Sequence, residues 1–249
     1  MVDLHNWILL ALACFGAGLL DAVAGGGGLL SLPAFLAAGL PVPMALGTNK
    51  LVAAHATSAA SLRYARAGLV PRRSAWLAIL SFVGGALGAV LASGLPDRTL
   101  RGAVLVLLPC ALAAVLWRQF RPARKGSSAL PGFWLIPVAA ALGFYDGFFG
   151  PGTGTFLIAA FVATGSTLEG ATGAAKPLNL GSNLGALSVF AWQGHVLPWL
   201  GFSLAPVMIL GAWVGASMAL KRGAPLIRVF LIGAVLAVSA KLAWGLLRG

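Results

Sequence analysis

Long apolar runs, interrupted by short polar and glycine-rich stretches, dominate the chain. Five runs contain no Asp, Glu, Lys or Arg: residues 22–49, 74–96, 126–145, 147–168 and 177–220. A helix that crosses a bilayer needs about 20 apolar residues, so the longest run must hold two membrane segments. The turn formed by Gln193, Gly194 and His195, with Pro198 after it, predicts the break between them.

The apolar segments follow the same order twice along the chain. The predicted segments are residues 5–22, 28–39, 44–64, 74–94 and 99–118, and then 131–148, 153–164, 171–192, 197–219 and 225–247. The second segment of each set follows a glycine-rich break and has about a dozen residues. At 1.5 Å per residue it reaches about 18 Å, whereas the apolar core of a bilayer is about 30 Å thick. These short segments are therefore expected to be half-helices or re-entrant pieces.

Aligning the sequence with itself indicates an internal duplication. Matched residues include Asp21 with Asp146, Gly25 with Gly150 and Gly27 with Gly152 at an offset of 125, Lys50 with Lys176 at 126, and Gly84 with Gly211 and Gly88 with Gly215 at 127. A slow drift in offset is what a duplicated gene with small loop changes would leave. We predict a first membrane repeat at residues 1–122, a second at 127–249, and a connecting cytoplasmic loop at 118–130.

Charge at equivalent loops favours one relative orientation of the two halves. The basic loop 63–73 corresponds to the uncharged turn 193–198, and the nearly neutral turn 94–98 corresponds to Lys221 and Arg222. Since positive loops favour the cytoplasm, opposite charge at matched loops favours inverted repeats with an odd number of crossings per half. Re-entrant short segments would instead give four crossings per half and parallel repeats. We expect an all-α integral membrane protein with about 8 to 10 membrane helices, and we favour inversion.

Composition supports this class and changes the interpretation of the net charge. The 249 residues are 59% hydrophobic and 9% charged, with a mean hydropathy of +0.95, whereas soluble domains are about a quarter charged. The net charge of +12 comes largely from cations at the ends of apolar runs, such as Arg63, Arg66, Arg72 and Arg73. These clusters predict cytoplasmic loops of a multi-pass protein of the bacterial inner membrane, and no nucleic-acid partner. No basic residue precedes the first apolar run, so we expect that segment to be retained.

Glycine clusters mark the two predicted breaks. They are Gly25, Gly26, Gly27 and Gly28 in the run DAVAGGGGLLSLP, and Gly150, Gly152, Thr153 and Gly154 in GPGTGT. A nucleotide-binding loop would need a strand before it and the P-loop spacing, and both are missing here. Unpaired backbone at membrane depth requires a cavity or protein partners, so we expect the breaks to line a cavity. Glycines elsewhere, such as Gly84 and Gly211, fit close helix packing instead.

Two lysines give the sharpest polar signal. Lys50 and Lys176 each lie in an apolar segment, at the same place in the predicted repeat. An ionisable residue inside a membrane is a functional candidate, although a lysine near a helix start can also extend to the headgroups. Duplication at matched positions favours function.

Polar residues near the two lysines suggest the ligand. Thr48 and Asn49 precede Lys50 and can cap a helix that follows. Asn179 and Asn183 follow the second lysine at i+3 and i+7, on the same helix face. Amide and hydroxyl donors, an ammonium group and a helix N-terminus together favour a small anion.

The acids matched in the alignment, Asp21 and Asp146, lie just before the glycine breaks. Three roles remain open for them: to offset the lysine charges, to carry a coupling proton, or to accept hydrogen bonds from backbone donors at the break. The three histidines have no partner at metal-ligand spacing, so no metal and no cofactor are expected. The chain lacks the HExxH and GxSxG patterns and any useful pair of catalytic side chains, so an enzyme is not expected.

The residues around both lysines resemble a known family. The run DAVAGGGGLLSLPAFLAAGLPVPMALGTNKL, together with GAAKPLNLGSNLGAL and FAWQGHV, resembles signatures of the sulfite exporter TauE/SafE family of membrane permeases. The resemblance covers nearly the whole chain, but the second half has GAAK where the first has GTNK, so the Thr-Asn pair occurs once. It implies a secondary transporter of sulfur-containing anions such as sulfite, thiosulfate or organosulfonates. The residues alone indicate a small-anion carrier in a lipid bilayer. An anion channel or a non-transporting scaffold is the alternative, and a homo-oligomer is compatible with either.

Overall fold

The computed structural model describes residues 4–120 and 131–222, and the regular structure in these ranges is helical. The α-helices are α1 (Leu4–Ala24), α2 (Gly28–Ala37), α3 (Val42–Arg66), α4 (Arg73–Ser93), α5 (Asp97–Phe120), α6 (Leu135–Phe148), α7 (Thr153–Ala163), α8 (Leu168–Trp192) and α9 (Pro198–Arg222). A short 3₁₀ helix, Gly132–Trp134, leads into α6. The predicted all-α class is confirmed. The predicted segment 225–247 and most of the loop 118–130 lie outside the described residues.

Helix ends deviate from the predicted segments by a few residues, for local reasons. The helix α8 begins at Leu168, three residues before the predicted start, because the Thr167 side chain caps it by accepting a hydrogen bond from the Gly170 amide at 3.2 Å. Pro177 lies inside this helix without ending it. The prediction missed the threonine cap because Gly170 and Gly173 interrupt the apolar pattern.

Four of the described helices are long and apolar enough to cross a membrane. These candidate spans are Asn6–Ala24, Arg73–Ser93, Asp97–Val115 and Pro198–Lys221. Their outer faces carry exposed apolar side chains such as Leu12 and Trp76. Trp192, at the end of α8, is 91% exposed. Large apolar side chains exposed in this number are typical of a surface that faces lipid, with tryptophans near the interfaces.

The helices α2 and α7 are the predicted short segments. With 10 and 11 residues, each reaches only about 15 to 17 Å along its axis. The helix α2 folds back along α1, because Gly27 packs against the backbone of Ala17 and the Leu30 side chain packs against Gly16. A chain that turns back in this way leaves the Gly25 break inside the helix bundle.

Contacts between helices define two groups with opposite directions. In the first group, Trp7 of α1 donates to Ser203 of α9, and Leu19 packs against Gly215, so the two helices run in parallel. The helix α3 also runs parallel to α9, because Leu51 packs against Gly201 near one end. At the other end, Arg63 donates to Ser217, 3.2 Å away.

The second group contains α4, α6 and α8. Parallel packing of α4 with α6 follows from contacts of Ser81 with Gly143 and of Gly85 with Gly147. The helix α8 has the same direction as α4, since Ala78 packs against Gly181 and Phe82 against Gly185. Against α3 the direction of α8 is reversed, because Gly47, early in α3, contacts Phe190 and His195, whereas Leu69, after α3, contacts Gly173.

Glycine allows these helices to approach within backbone contact. A Cβ on Gly84 would lie 2.3 Å from the Ala140 carbonyl oxygen, and one on Gly211 would lie 2.1 Å from that of Phe15. Real Cβ atoms do not approach that closely. The close packing predicted for these glycines is therefore confirmed, and it holds together the helices that surround the site.

Candidate functional site

The two glycine breaks lie against each other in the middle of the bundle. Gly25 has a φ of +74°, and a Cβ there would lie 2.2 Å from the Gly154 carbonyl carbon. The Thr155 amide donates to the Gly25 carbonyl oxygen at 3.2 Å, and the Thr155 hydroxyl donates to Ala24 at 2.6 Å. Residues near position 25 and residues near position 154 thus form one crossing point, and only glycine fits the left-handed backbone and the close approach there.

Both short helices begin at this crossing point. The helix α2 starts at Gly28 and α7 starts at Thr153, and a Cβ on Gly28 would lie 3.2 Å from the Pro151 Cα atom. The first backbone N–H groups of a helix have no partner within it and carry partial positive charge. Two such helix N-termini therefore lie close together at the breaks, and some of their first amides already donate to carbonyl oxygens there, as Leu29 does to Gly26 and Thr155 to Gly25.

The lysines lie inside long helices, away from any helix start. Lys50 is in α3, which begins at Val42, and Lys176 is in α8, which begins at Leu168. The expectation that Thr48 and Asn49 cap a helix is therefore wrong. The apolar residues before Thr48 continue the helix, and its hydroxyl instead accepts a hydrogen bond from the Leu197 amide at 3.0 Å. The helix N-termini near the site come from α2 and α7.

Each lysine forms an ion pair with an acid from the other half of the chain. Lys50 Nζ lies 2.8 Å from Asp146 Oδ2, and Lys176 Nζ lies 3.1 Å from Asp21 Oδ2. The two lysines are 2% and 1% exposed. A lysine that extends to lipid headgroups would be exposed at its end, so that alternative is wrong for both residues.

The two ion pairs differ in their additional partners. Lys176 also donates to the backbone carbonyl oxygen of Asp21. The Asp21 carboxylate further accepts from Asn179 at 3.4 Å and from Thr57 at 3.5 Å. The Asp146 carboxylate accepts from the Ser182 hydroxyl at 2.7 Å. Both acids are held by donors from α3 and α8, but among the described residues Asp21 has three side-chain donors, whereas Asp146 has two, Lys50 and Ser182.

A small cavity of about 20 Å³ lies between the two pairs. Its lining combines the charged and amide side chains with the glycines of both breaks: Asp21, Gly25, Gly27, Gly28, Asn49, Lys50, Ala53, Thr57, Asp146, Gly150, Gly154, Asn179, Asn183 and Met208. A polar cavity needs about 10 to 15 Å³ of such space to hold one water molecule. The cavity therefore has room for about one or two water molecules.

Eleven of the predicted site residues line the cavity, and five others do not. Those five are Thr48, Gly26, Gly152, Thr153 and Lys176. Thr153 donates to the Gly150 carbonyl oxygen at 2.7 Å, which closes the turn before α7. Gly152 takes a φ of +87° in the same turn. Gly152 and Thr153 thus determine the shape of the turn that leads into α7.

Sequence analysis missed four residues of this region: Ala53, Thr57, Met208 and Ser182. Ala53 carries no polar group, and Met208 lies in an apolar stretch of α9, so the polar signal did not include them. Ser182 corresponds to Ala56 at the offset of 126, so the self-alignment gave no matched polar residue at this position. At that same offset Ala53 corresponds to Asn179 and Thr57 to Asn183, which is a signal that could have identified both lining positions in α3.

One lining side chain has an unused hydrogen-bonding atom. The Asn49 amide is 4% exposed, and its Oδ1 atom has no partner among the described residues. The neighbouring amides are occupied, since Asn183 donates to the Asn179 carbonyl oxygen at 2.8 Å. A buried polar atom without a partner is costly. The Asn49 Oδ1 atom is an acceptor, so it suits a hydrogen-bond donor such as a water molecule or a protonated ligand rather than the oxygens of an anion.

Comparison with known proteins assigns the chain to a transporter family. The family model described as Sulfite exporter TauE/SafE matches residues 10–242. A relative from Sinorhizobium sp., named "Probable membrane transporter protein ORF9", is 37% identical over 244 residues, which are 96% of this chain and 92% of the relative. A "Probable membrane transporter protein" of Haemophilus influenzae is 37% identical, covering 98% and 97% of the two chains.

A further relative, the "Probable membrane transporter protein YfcA" of Escherichia coli K12, is 39% identical over 91% of this chain and 85% of its own length. No solved structure gives a significant match. The family model and these relatives cover nearly the whole chain, and a membrane transporter family agrees with the all-helical bundle and its apolar outer surface. The chain is therefore a multi-pass membrane transporter and belongs to the sulfite exporter TauE/SafE family.

Proposed function

We propose that this transporter is a carrier of small sulfur-containing anions such as sulfite, thiosulfate or organosulfonates. The observation that supports this most directly is a buried cavity with a lysine in its lining and the positive ends of two short helices beside it. Cationic side chains and helix N-termini both stabilise an anion away from water. The substrate class also follows the name of the family.

In this proposal the anion occupies this cavity. Lys50 contacts it directly, and the Nδ2 groups of Asn49, Asn179 and Asn183 donate to its oxygens together with backbone N–H groups of the glycine breaks. Asn179 and Asn183 exchange their present acceptors, Asp21 and Asn179, for the anion. Lys176, Thr48 and the outer glycines of the breaks, Gly26 and Gly152, support the site without lining the cavity.

We also propose that the halves are inverted repeats, as the loop charges predict. Under the predicted duplication, α1 corresponds to α6, α3 to α8 and α4 to α9. The first member of each pair runs opposite to the second, because α1, α3 and α9 share one direction and α4, α6 and α8 share the other. Parallel repeats would give equivalent helices the same direction. A carrier whose inverted halves meet at a central site can expose that site alternately to either side.

The same directions support an orientation in the bacterial inner membrane. The loop between α3 and α4, with Arg66, Arg72 and Arg73, lies at the same end of the bundle as Lys221 at the end of α9. Positive residues favour the cytoplasmic side. We propose that this end faces the cytoplasm and that the start of α1 faces the periplasm.

Counterflow in proteoliposomes tests the function. Vesicles preloaded with unlabelled thiosulfate are diluted into trace [³⁵S]thiosulfate, with sulfite and ethanesulfonate tested as competitors. A carrier accumulates label transiently by exchange, whereas a channel equilibrates without stimulation by internal substrate. A scaffold shows no uptake above protein-free vesicles. Absence of exchange for every sulfur-containing anion, with a folded protein in the vesicles, would reject the proposed substrate class.

A further inference from the structure

Four buried charges near the cavity balance each other. Lys50, Lys176, Asp21 and Asp146 are the charged side chains that meet here, two positive and two negative. An anion that enters adds an uncompensated negative charge to a region away from water, and such burial is costly. Protonation of one carboxylate would restore electroneutrality. Protonation of either aspartate would also release the lysine paired with it, which could then bind the anion.

The geometry distinguishes the two pairs. Lys176 donates to the backbone carbonyl oxygen of Asp21 as well as to its carboxylate, so protonation of that carboxylate would leave one contact in place. Among the acceptors that the structure describes, the Asp146 carboxylate is the only one that Lys50 contacts. Lys50 also lines the cavity, whereas Lys176 does not. Neutralising Asp146 would therefore release a lysine that already faces the binding space.

We propose that Asp146 is the proton-binding residue and Lys50 the anion-binding residue of a coupled pair, while Lys176 and Asp21 form a fixed pair. This inference rests on the proposed anion transport. Asp146 binds one proton, its contact with the Lys50 ammonium group breaks, and that group then pairs with the anion. One proton enters with each monovalent anion, so the step moves no net charge.

Other titratable groups around the two acids are already engaged. The Tyr145 hydroxyl, on the helix of Asp146, donates to the Pro151 carbonyl oxygen at 2.7 Å. The Tyr64 hydroxyl, from α3, donates to the Ala22 carbonyl oxygen at 3.0 Å. Ser182 remains as the neutral donor to Asp146. Its hydroxyl can also accept a hydrogen bond, so a protonated Asp146 keeps a partner when Lys50 leaves.

Proton-driven accumulation tests the proposal. The probes are ethanesulfonate and thiosulfate, which keep their charge between mildly acidic and mildly alkaline pH, so changes in substrate ionisation do not interfere. With an inwardly directed proton gradient of about one pH unit, one-to-one coupling should accumulate ethanesulfonate up to about tenfold. Asp146→Asn should lose accumulation to a far greater extent than counterflow, because it can neither take up nor release the coupling proton. Asp97→Asn, an exposed acid paired with Arg101, serves as the matched control and should accumulate normally.

Proton uptake on anion binding, measured in detergent, tests the role of Asp146 without vesicles. Addition of ethanesulfonate to the purified transporter in weakly buffered detergent should cause uptake of about one proton per bound anion, and Asp146→Asn should abolish that uptake. Counterflow without accumulation in the parent protein would overturn the coupling and leave the proposed function intact. Loss of coupling in Asp21→Asn, with coupling retained in Asp146→Asn, would overturn the choice of pair. Absence of counterflow for both probes would reject anion transport itself.

Discussion

Replacement of Lys50 by glutamine is the most informative single perturbation of the site. Glutamine retains hydrogen-bonding groups but removes the positive charge that lies 2.8 Å from Asp146 Oδ2. Removing one partner of a buried charged contact with a ligand costs about 2 to 5 kcal/mol, or roughly 30- to 4,000-fold in affinity. We therefore expect Lys50→Gln to weaken or abolish anion binding, measured by isothermal titration with thiosulfate and ethanesulfonate.

The same substitution affects folding, and that effect must be separated from binding. Lys50→Gln leaves Asp146 buried with Ser182 as its remaining side-chain donor, and breaking a buried pair in this way costs about 3 to 5 kcal/mol of stability. The double variant Lys50→Gln, Asp146→Asn removes both charges and should recover part of that loss. Thermal unfolding in detergent measures both variants. Restored stability without restored binding would show that the lysine acts on the anion.

The matched control lies outside the bundle interior. Arg101 forms an exposed pair with Asp97, so Arg101→Gln should change stability by about 1 kcal/mol or less and leave binding unchanged.

Lys176→Gln should mainly destabilise the fold, because its partner Asp21 then loses a donor to both its carboxylate and its backbone oxygen. Binding close to that of the parent in Lys50→Gln, in Lys176→Gln and in the variant with both changes would refute the site.

Two further predictions concern the backbone and the topology. Gly25→Ala should destabilise the protein far more than Gly68→Ala, because both glycines have a φ near +74° but only Gly25 has backbone atoms within 4 Å of a new Cβ; equal melting temperatures for the two variants would contradict the crossing point. After replacement of Cys14 and Cys110, a single cysteine at position 4 should react with an impermeant maleimide added to intact spheroplasts, whereas one at position 124 should react only after lysis. Labelling of position 124 in intact spheroplasts would reverse the proposed orientation.

The segment pattern predicted the helices because apolar periodicity and length decide what can span a membrane. The break at Gly25 and the short helix after it followed from four consecutive glycines in an apolar run. The starts of the two long helices that carry the lysines were harder to predict. Thr48 and Asn49 have the side chains of cap residues, but apolar neighbours from Val42 onward extend the helix past them, since packing outweighs local capping preference.

The sequence predicted the charged residues of the candidate site, but it did not predict which lysine pairs with which acid. The predicted duplication singled out Lys50, Lys176, Asp21 and Asp146, because isolated charges at matched positions in an apolar chain are unlike a chance pattern. Which lysine meets which acid depends on how the two halves cross, and sequence spacing carries no such information. The cavity volume depends on the separation of the glycine breaks, which tertiary packing sets.

The pairing has a consequence for how a carrier of this architecture can move. Each ion pair joins a helix of one half to a helix of the other: α3 to α6 through Lys50 and Asp146, and α8 to α1 through Lys176 and Asp21. If the halves rotate against each other during transport, at least one of the two contacts must break while the other can keep the halves in register. The pair with the additional backbone contact is suited to stay closed, and the pair that lines the cavity is suited to open. Making that opening depend on both a proton and an anion would prevent the empty transporter from releasing Lys50, and so would limit leakage of either ion alone.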